Sequence, residues 1–533
     1  MPLSTKEAFS DGDFGLQVAP LKYMLVANEV SGAALAGWPD RFGFLQRDDT
    51  SGSACESEAP RNLPVGFSVS NRLQGSATPV PLKFVGLTCA ACHSTRVGKS
   101  GVIAGPGSQT LDLIAFSDAF SNAILDPNLT SKTILEAYKN KCSERGAVPQ
   151  VIEAFFIDQW LNALRQQLRD NETKYDMPHH GAELLDPADI PPGPSRTRPF
   201  RSVVRNTLNF PGEGNVAYSK VPLAAMQGFK TWSQYDGSIG DPTVRSLVAV
   251  FTSDATIPAL NNRQIADNIK SAADYTLRLG IDPRLPTLAE AFPDRPVPPM
   301  EILARGRAVY EQQCDRCHGH PDTTGWTMPP GKGDPPITSL AEIGTDPGRL
   351  RFRYADMLAA ALATTFPAAD TAAQQDLLAE KIKKAAESGN LAAADFWTQA
   401  SERLNEAARE FPAGHRRSFP AAELAAHDGY QDSPIPFVWL RAPFLHNGSV
   451  PTLRQLIGLD PRPDHFCRGD AGYDPEAIGI VAPEPGPNGC SGKAYFLFDT
   501  TQPGNSNAGH WYPKPGAVSR EDLEALLAYL GTL

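Results

Sequence analysis

The repeat of apolar positions is most regular in the C-terminal part of the chain. From residue 302 to residue 310, apolar side chains recur every three or four positions, which predicts an amphipathic helix. A second helix, with a stripe of leucines, is predicted at residues 519–533, beginning at a serine N-cap. Glycine lets two helices cross closely, so Gly306 and Tyr310 are expected to meet Tyr529, although ordinary core packing explains these residues equally well.

Elsewhere the chain alternates between helical stretches and long irregular segments. Residues 151–170 form a clear helical pattern, and residues 351–410 are alanine-rich and helical with breaks. Residues 177–199 and 460–514 are instead dense in proline, glycine and other turn-forming residues. The 533-residue chain contains 48 prolines, well above the usual share of about 5%. We therefore predict a mainly α fold with extensive irregular loops.

The charge balance narrows the range of partners. The formal net charge is −11, which argues against nucleic acid or an anionic membrane surface as the main partner. The apolar runs are also far shorter than the roughly 20 residues that a bilayer requires, so no membrane span is expected.

Two short cysteine motifs carry the most specific chemistry in the sequence. Both read C-x-x-C-H, the spacing with which two thiols attach one c-type haem while the next histidine ligates its iron. A structural zinc would require both cysteine pairs in one site, and a redox dithiol would require a βαβ setting that is not readable here. We therefore predict two covalently bound haem c groups. The binding residues are Cys89, Cys92 and His93 for the first, and Cys314, Cys317 and His318 for the second.

A proline-rich stretch at residues 292–299 separates the two motifs and is the predicted domain boundary. It divides the chain into residues 1–295 and 296–533, each with one motif. The expected architecture is therefore two cytochrome c-like haem domains.

The other four cysteines fit an oxidising compartment. Cys467 and Cys490 flank a loop rich in glycine and proline, which favours a disulfide between them, and Cys55 with Cys142 is the remaining combination. Free buried thiols are the alternative. Haem c is attached outside the cytoplasm, so we expect a periplasmic or secreted protein. The N-terminal residues contain no recognisable secretory signal, and we interpret the chain as one from which the signal was removed.

The second axial ligand of each iron decides its function, because a strong ligand favours electron transfer and an open position allows chemistry with O2 or peroxide. For the second haem the best candidate is His446, on a loop whose apolar flank and Asn-Gly turn would direct the imidazole inward. Met328 and Met357 are rivals. The alternatives are a hydrogen-bonded core histidine or an N-glycosylation sequon at Asn447–Ser449.

For the first haem, no ligand stands out opposite His93. His179 and His180 lie in a proline-flanked loop, where surface or structural histidines are the more common case. Trp232 and Tyr235 belong to an aromatic and polar group between the two motifs. This group is either a packed tryptophan beside a turn or the lining of an open haem face.

Longer stretches around both motifs form a recognisable pattern. In the C-terminal half they are Trp439–Leu453, Arg462, Phe466, Gly469, Tyr473–Pro475, Gly479, Phe498–Thr500 and Pro503–His510. In the N-terminal half they are Gly86–Thr88 before the first motif and Trp232–Ser238 with Arg245. Together they resemble dihaem c-type cytochromes related to the bacterial rubber oxygenases. Relatives of that group include fatty-acid dioxygenases and, more distantly, dihaem cytochrome c peroxidases.

The resemblance implies a role for each haem. His446 would be the sixth ligand of the second iron and form an electron-transfer centre with His318. The haem on His93 would be reactive, with O2 on its open face. A lipophilic alkene, either a small molecule or a polymer, would lie beside it in an aromatic pocket that includes Trp232 and Tyr235 as candidate catalytic residues. The implied activity is a haem-dependent, dioxygenase-like oxidoreductase that adds O2 to a carbon–carbon double bond or cleaves it. A redox protein is a further candidate partner.

Two other functions stay open at this point. A dihaem cytochrome c peroxidase requires a distal acid–base group, for which Glu213 and His179 are candidates. A periplasmic electron-transfer cytochrome requires protein ligands on both faces of both irons. Residues 195–205 fit the family poorly, which leaves the identity of the substrate open.

Overall fold

Helices and irregular loops make up most of the fold, as predicted. The helical fraction is 42%. The computed structural model describes residues 3–49, 55–72, 79–143, 148–175, 193–197, 218–240, 242–253, 262–323, 325–329, 336–351, 371–387, 394, 398, 401–402 and 424–533.

Side-chain caps define where many of the helices begin. Ser4, Asp112, Thr130, Asn262 and Ser519 each accept a hydrogen bond from a backbone N–H group in the first turn. The longer described helices are Thr5–Asp11, Leu113–Leu125, Ser131–Lys141, Gln150–Tyr175, Pro242–Thr252, Arg263–Arg278, Met300–Gln313, Thr371–Glu387 and Arg520–Leu530. Shorter helices are Leu21–Leu25, Ala27–Val30, Gly32–Leu35, Trp38–Arg41, Cys89–Cys92, Leu288–Ala291, Asp315–His318, Leu340–Ile343, Gly348–Arg351 and Leu453–Leu456.

The helices predicted at residues 151–170, 302–310 and 519–533 are all present, each with somewhat different ends. Of the alanine-rich segment 351–410, the helix Thr371–Glu387 is described, and most of the remainder lies outside the described residues.

β-Structure is limited to small antiparallel sheets. The largest has Pro79–Leu87 in its centre, between Ala19–Pro20 and Phe67–Arg72. Its central strand leads within two residues to Cys89, so the sheet fixes the start of the first motif. Two-stranded sheets pair Ser94–Thr95 with Ile103–Ala104, Arg196–Thr197 with Ser219–Lys220, Ile337–Ser339 with Gly429–Gln431, His465–Arg468 with Phe496–Asp499, and Tyr473–Asp474 with Gly479–Ile480.

Two apolar clusters form the described core. One consists of N-terminal residues and is rich in aromatic rings, such as Trp38 and Phe116 with centroids 5.6 Å apart. The other combines residues from both sides of position 295, including Phe9, Tyr275 and Trp439. The two segments thus share apolar packing, and their division into separate domains stays a prediction.

The predicted crossing of two helices around Gly306 is confirmed. A Cβ atom at Gly306 would lie 2.0 Å from the carbonyl oxygen of Ala525 and 2.8 Å from Cβ of Tyr529. The rings of Tyr310 and Tyr529 contact each other with centroids 5.5 Å apart. Because no other residue fits this space, the glycine sets how closely the last helix packs against the helix that leads into the second motif.

Both predicted cysteine pairings are found. Cys55 is joined to Cys142 and Cys467 to Cys490, so the alternative of free thiols does not hold for these four residues. The cysteines of the two C-x-x-C-H motifs are not disulfide-bonded. In the part of the chain that the structure describes, no helix combines the length and apolar character needed to cross a bilayer.

Candidate haem sites

Backbone hydrogen bonds hold the first C-x-x-C-H motif. Its cysteines form the single helical turn Cys89–Cys92, and the loop that follows folds back on it. The N–H of Gly105 donates to the carbonyl of His93 at 2.8 Å, and the N–H of Ser108 donates to the carbonyl of Cys92 at 2.7 Å. These contacts fix the direction of the histidine relative to both thiols.

The second motif follows the helix Met300–Gln313 and forms the short helix Asp315–His318. The hydroxyl of Tyr310 donates to the carbonyl of Gly319 at 2.5 Å. The indole N–H of Trp326 donates to the carbonyl of His318 at 2.7 Å. Aromatic side chains from before and after the motif therefore secure its last residues.

The two motif histidines are oriented by the same contact. Nδ1 of His93 lies 3.0 Å from the carbonyl oxygen of Pro222, and Nδ1 of His318 lies 2.8 Å from that of Ser433. A carbonyl only accepts, so Nδ1 must carry the proton, which leaves the lone pair of Nε2 for a metal. Burial, and then the charge of Arg245, lower the pKa of His93 to about 4, which keeps this imidazole neutral at pH 7. Both histidines thus fit the role of a proximal haem ligand.

The motif thiols fit covalent attachment better than zinc binding. Burial raises the pKa of Cys89 and of Cys314 to about 12, so both are neutral thiols at pH 7. No group of three or more His, Cys, Asp or Glu side chains within the described ranges is close enough to hold one metal ion. The two motifs therefore offer two separate sets of donors, each suited to one haem c.

The imidazole that lies against His318 belongs to His510. The two ring centroids are 6.0 Å apart. With metal–nitrogen bonds of about 2.0 Å, imidazoles on opposite sides of one iron have centroids roughly 6 Å apart. Nδ1 of His510 is buried and has no hydrogen-bond partner among the described residues. Burial, and then His318, lower the pKa of His510 to about 3, so it is neutral at pH 7. This geometry suits a second axial ligand.

The structure does not bring His446 to His318. The ring of His446 stacks on Tyr430 with centroids 4.4 Å apart, and its Nε2 lies 3.1 Å from the Tyr430 hydroxyl. Its other ring contact within the described part of the chain is with Tyr235, at 6.3 Å. The assignment of His446 as the axial partner of His318 stays a prediction, and the geometry favours His510 for that position.

Comparison with known proteins finds a family match in the C-terminal part of the chain. Residues 429–467, which include Tyr430 and His446, match the family model described as RoxA-like, cytochrome c-like. The match supports the RoxA-like haem cytochrome family. The RoxA-like segment suggests a haem c oxidoreductase.

Two relatives come from Sinorhizobium fredii (strain NBRC 101917 / NGR234). The uncharacterized protein y4iJ is 26% identical over an alignment that covers 93% of this chain and 84% of that protein. The uncharacterized protein y4iM is 25% identical over 54% of this chain and 56% of its own length. The likeness to y4iJ thus extends well beyond the RoxA-like segment, across both motifs.

The RoxA-like segment meets the loop that leads to His510. Asn447 is fully buried, and its side-chain amide donates to the carbonyls of Gly504 and Ser506 at 3.2 and 2.9 Å. Ser449 donates to the same Ser506 carbonyl at 3.0 Å. These contacts exclude the glycosylation reading of the Asn447 sequon. His510 itself lies in the family-like stretch Pro503–His510, and no separate signal in the sequence marks it as a ligand.

Trp232 and Tyr235 lie in one turn next to the RoxA-like segment. The side chain of Gln431 donates to the carbonyl of Trp232 at 2.9 Å, and its backbone N–H donates to the carbonyl of Tyr235 at 2.8 Å. The Trp232 ring makes an edge contact with His427, with centroids 6.1 Å apart. The hydroxyl of Tyr235 is buried without a hydrogen-bond partner among the described residues, and burial raises its pKa. This hydroxyl is therefore available to a ligand.

The charges of Arg441 and Arg245 act on residues near both motifs. Burial, together with the charges of Arg441 and Arg245, lowers the pKa of Lys230 to about 7. Arg245 also acts on His93, and Arg441 on Tyr310 at the second motif. Both arginines thus act on Lys230, and each also acts on a residue at one of the motifs.

One of the remaining sequence candidates lies within the described residues. Met328 is partly buried and packs against the second apolar cluster. His179, His180, Glu213 and Met357 lie outside the described residues.

Proposed function

We propose that this protein is a dihaem c-type oxygenase that adds O2 to a carbon–carbon double bond of a lipophilic substrate, or cleaves that bond, at the haem held by Cys89, Cys92 and His93. The observation that carries the proposal is an asymmetry between the motifs. His93 and His318 are held in the same way, yet a second imidazole lies against His318 and no ring among the described residues contacts His93.

The second site supports electron transfer. Two neutral histidines, His318 and His510, would occupy both axial positions of its haem, which excludes O2 and substrate from the iron. A redox protein would supply or accept electrons there.

The first site supports substrate chemistry. When bound, its haem supplies a redox-active iron for O2 chemistry. His93 holds the iron from one face and Pro222 fixes the orientation of that imidazole. Trp232 would provide apolar surface for an unsaturated substrate, and the Tyr235 hydroxyl would donate a hydrogen bond within the pocket. The substrate class rests on the resemblance to alkene-oxidising relatives.

The compartment follows from the same chemistry. Haem c attachment and the two disulfides support a periplasmic or secreted location.

The first test is absorption and EPR spectroscopy of the purified holoprotein, before and after addition of CO or imidazole. We expect one haem to respond while the other keeps a low-spin spectrum with two histidine ligands. Two unresponsive six-coordinate haems would contradict an oxygenase and indicate an electron-transfer cytochrome. Rapid oxidation of reduced cytochrome c by H2O2 would instead indicate a peroxidase.

The second test follows product formation from unsaturated fatty acids and polyisoprene under ¹⁸O2 and under argon. Incorporation of ¹⁸O is expected, and identical products with and without O2 would overturn the proposal.

Tyr235→Phe removes one hydrogen bond in the pocket and is expected to lower kcat/KM about tenfold, the effect of roughly 1.4 kcal/mol. Tyr529→Phe, at the helix crossing, is the matched control.

A further inference from the structure

A group of buried cationic side chains lies beside the loop that carries His446. Arg196, Lys220 and Arg468 are 2%, 8% and 1% exposed. The guanidinium carbons of Arg196 and Arg468 lie 5.0 and 5.4 Å from the centroid of the same Phe498 ring. Lys220 borders the same group, because its Cβ and Nη1 of Arg468 each lie 3.5 Å from where a Cβ of Gly448 would stand. Buried charges of one sign are unfavourable unless an anion compensates them.

Arg468 is the member whose contacts are incomplete. Its Nε, Nη1 and Nη2 atoms are all buried, and none has a hydrogen-bond partner among the described residues. Its guanidinium carbon lies 5.4 Å from the centroid of the Phe498 ring. By contrast, Nη1 of Arg462 donates hydrogen bonds to the carbonyls of Asn507 and Gly509.

The nearby carboxylates are engaged elsewhere. Asp112 acts on Arg468 electrostatically, but its oxygens accept from the N–H of Ala115 and the hydroxyl of Tyr495. Asp346 acts on Arg196 electrostatically, but its oxygens accept from the N–H groups of Gly348 and Ser506. No ion pair of Arg468 is found within the described part of the chain. The cluster therefore offers buried donors and positive charge to an anion from outside the polypeptide.

The position of the cluster relates it to the first haem site. Lys220 donates its backbone N–H to the carbonyl of His446 at 2.9 Å, and its ammonium group donates to the carbonyl of Pro443 at 2.6 Å. Two residues further along, Pro222 holds His93. On the other side, Nη1 of Arg468 lies 3.5 Å from where a Cβ of Gly448 would stand.

We propose that Arg468, with Arg196 and Lys220, forms a carboxylate-binding site beside the haem of His93. A planar guanidinium matches the two oxygens of a carboxylate, and a neutral ligand would leave the buried charge uncompensated. The carboxylate comes either from a propionate of that haem or from an unsaturated fatty acid. The second source rests on the proposed function and the first does not.

The test compares Arg468→Met and Arg468→Lys with the wild-type holoprotein. Arg454→Met is the matched control, because Arg454 is partly exposed and paired with Glu524 and Asp460. Resonance Raman spectra of the propionate-bending band and the midpoint potential of the CO-binding haem report on a propionate. Calorimetric titration with oleate and with oleyl alcohol reports on a fatty-acid carboxylate.

A propionate at this site predicts that Arg468→Met shifts the bending band to lower frequency and lowers the midpoint potential, since a positive charge near the haem is lost. A fatty-acid carboxylate predicts that oleate binds about tenfold or more weakly while oleyl alcohol binds as before. Either result supports the site and identifies its source, even if no oxygenase activity is found. Unchanged values in all these measurements would overturn it. If Arg468→Met fails to take up haem, Arg468→Lys, which keeps the charge but loses the bidentate geometry, decides by the same readouts.

Discussion

The two C-x-x-C-H motifs are held alike and differ in what surrounds them. At both, a backbone carbonyl accepts from Nδ1 of the motif histidine. The loop that follows the first motif folds back on it, whereas Tyr310 and Trp326 secure the second motif, and His510, on a loop near the C-terminus, lies against His318. The motif alone therefore does not determine what lies opposite its histidine, because at the second motif a segment far away in sequence supplies that group.

The largest expected effect is the loss of one haem, which should abolish CO binding when it occurs at the first motif and leave it intact when it occurs at the second. Replacing Cys89 and Cys92 by alanine should halve the covalently bound haem and abolish CO binding, because the haem with the open face is lost. Replacing Cys314 and Cys317 should also halve the haem but leave CO binding to the first site. Intact-protein mass spectrometry and CO difference spectra measure both quantities. Equal CO binding by the two variants would contradict the difference between the sites.

The second prediction is that removing His510 lets the second site bind CO as the first one does. In His510→Ala, the iron at His318 loses its second imidazole, so CO should bind two haems per chain and the low-spin EPR signal should decrease. His446→Ala is the control, since the ring of that residue contacts Tyr430 rather than His318. Loss of the low-spin signal in His446→Ala, with His510→Ala unchanged, would restore His446 as the ligand.

The candidate attachment residues stand out in the sequence because two thiols and a histidine fall within five consecutive residues. The sequence does not single out an axial partner, because His446 and His510 both occur in family-like stretches, and in the structure both are buried, neutral imidazoles. What distinguishes them is tertiary: one ring faces Tyr430 and the other faces His318. The close crossing at Gly306 could be predicted from the sequence, because the helical periodicity of the flanking residues shows which face of the helix packs against another helix.

The third prediction compares the disulfides of the two regions. Cys55–Cys142 closes a loop with a sequence separation of 87, and Cys467–Cys490 one of 23. From chain entropy, replacing both cysteines by serine should lower the free energy of unfolding by about 4 to 5 kcal/mol for the first pair and about 3 kcal/mol for the second. Urea unfolding of the two double variants measures the difference. A larger loss for Cys467–Cys490 would show that local packing, rather than loop length, dominates.

The smallest expected effect concerns a glycine at each site. A Cβ at Gly66 would lie 2.0 Å from the backbone nitrogen of Ala91 within the first motif, and one at Gly306 would lie 2.0 Å from the Ala525 carbonyl. Gly306→Ala should lower stability by about 1 to 3 kcal/mol through overpacking, partly offset by the better helix propensity of alanine.

Gly66→Ala should cost more than Gly306→Ala, because Gly66 also has a φ of +87°, which alanine adopts with strain. Thermal unfolding followed at the haem absorption bands measures both variants, and the CO response shows which site is disturbed. Gly66→Ala should alter the CO-binding haem and Gly306→Ala the haem with two histidine ligands, since each glycine contacts one motif or the helix that supports it. The reverse assignment would mean that the shared apolar core couples the two sites more strongly than their local contacts do.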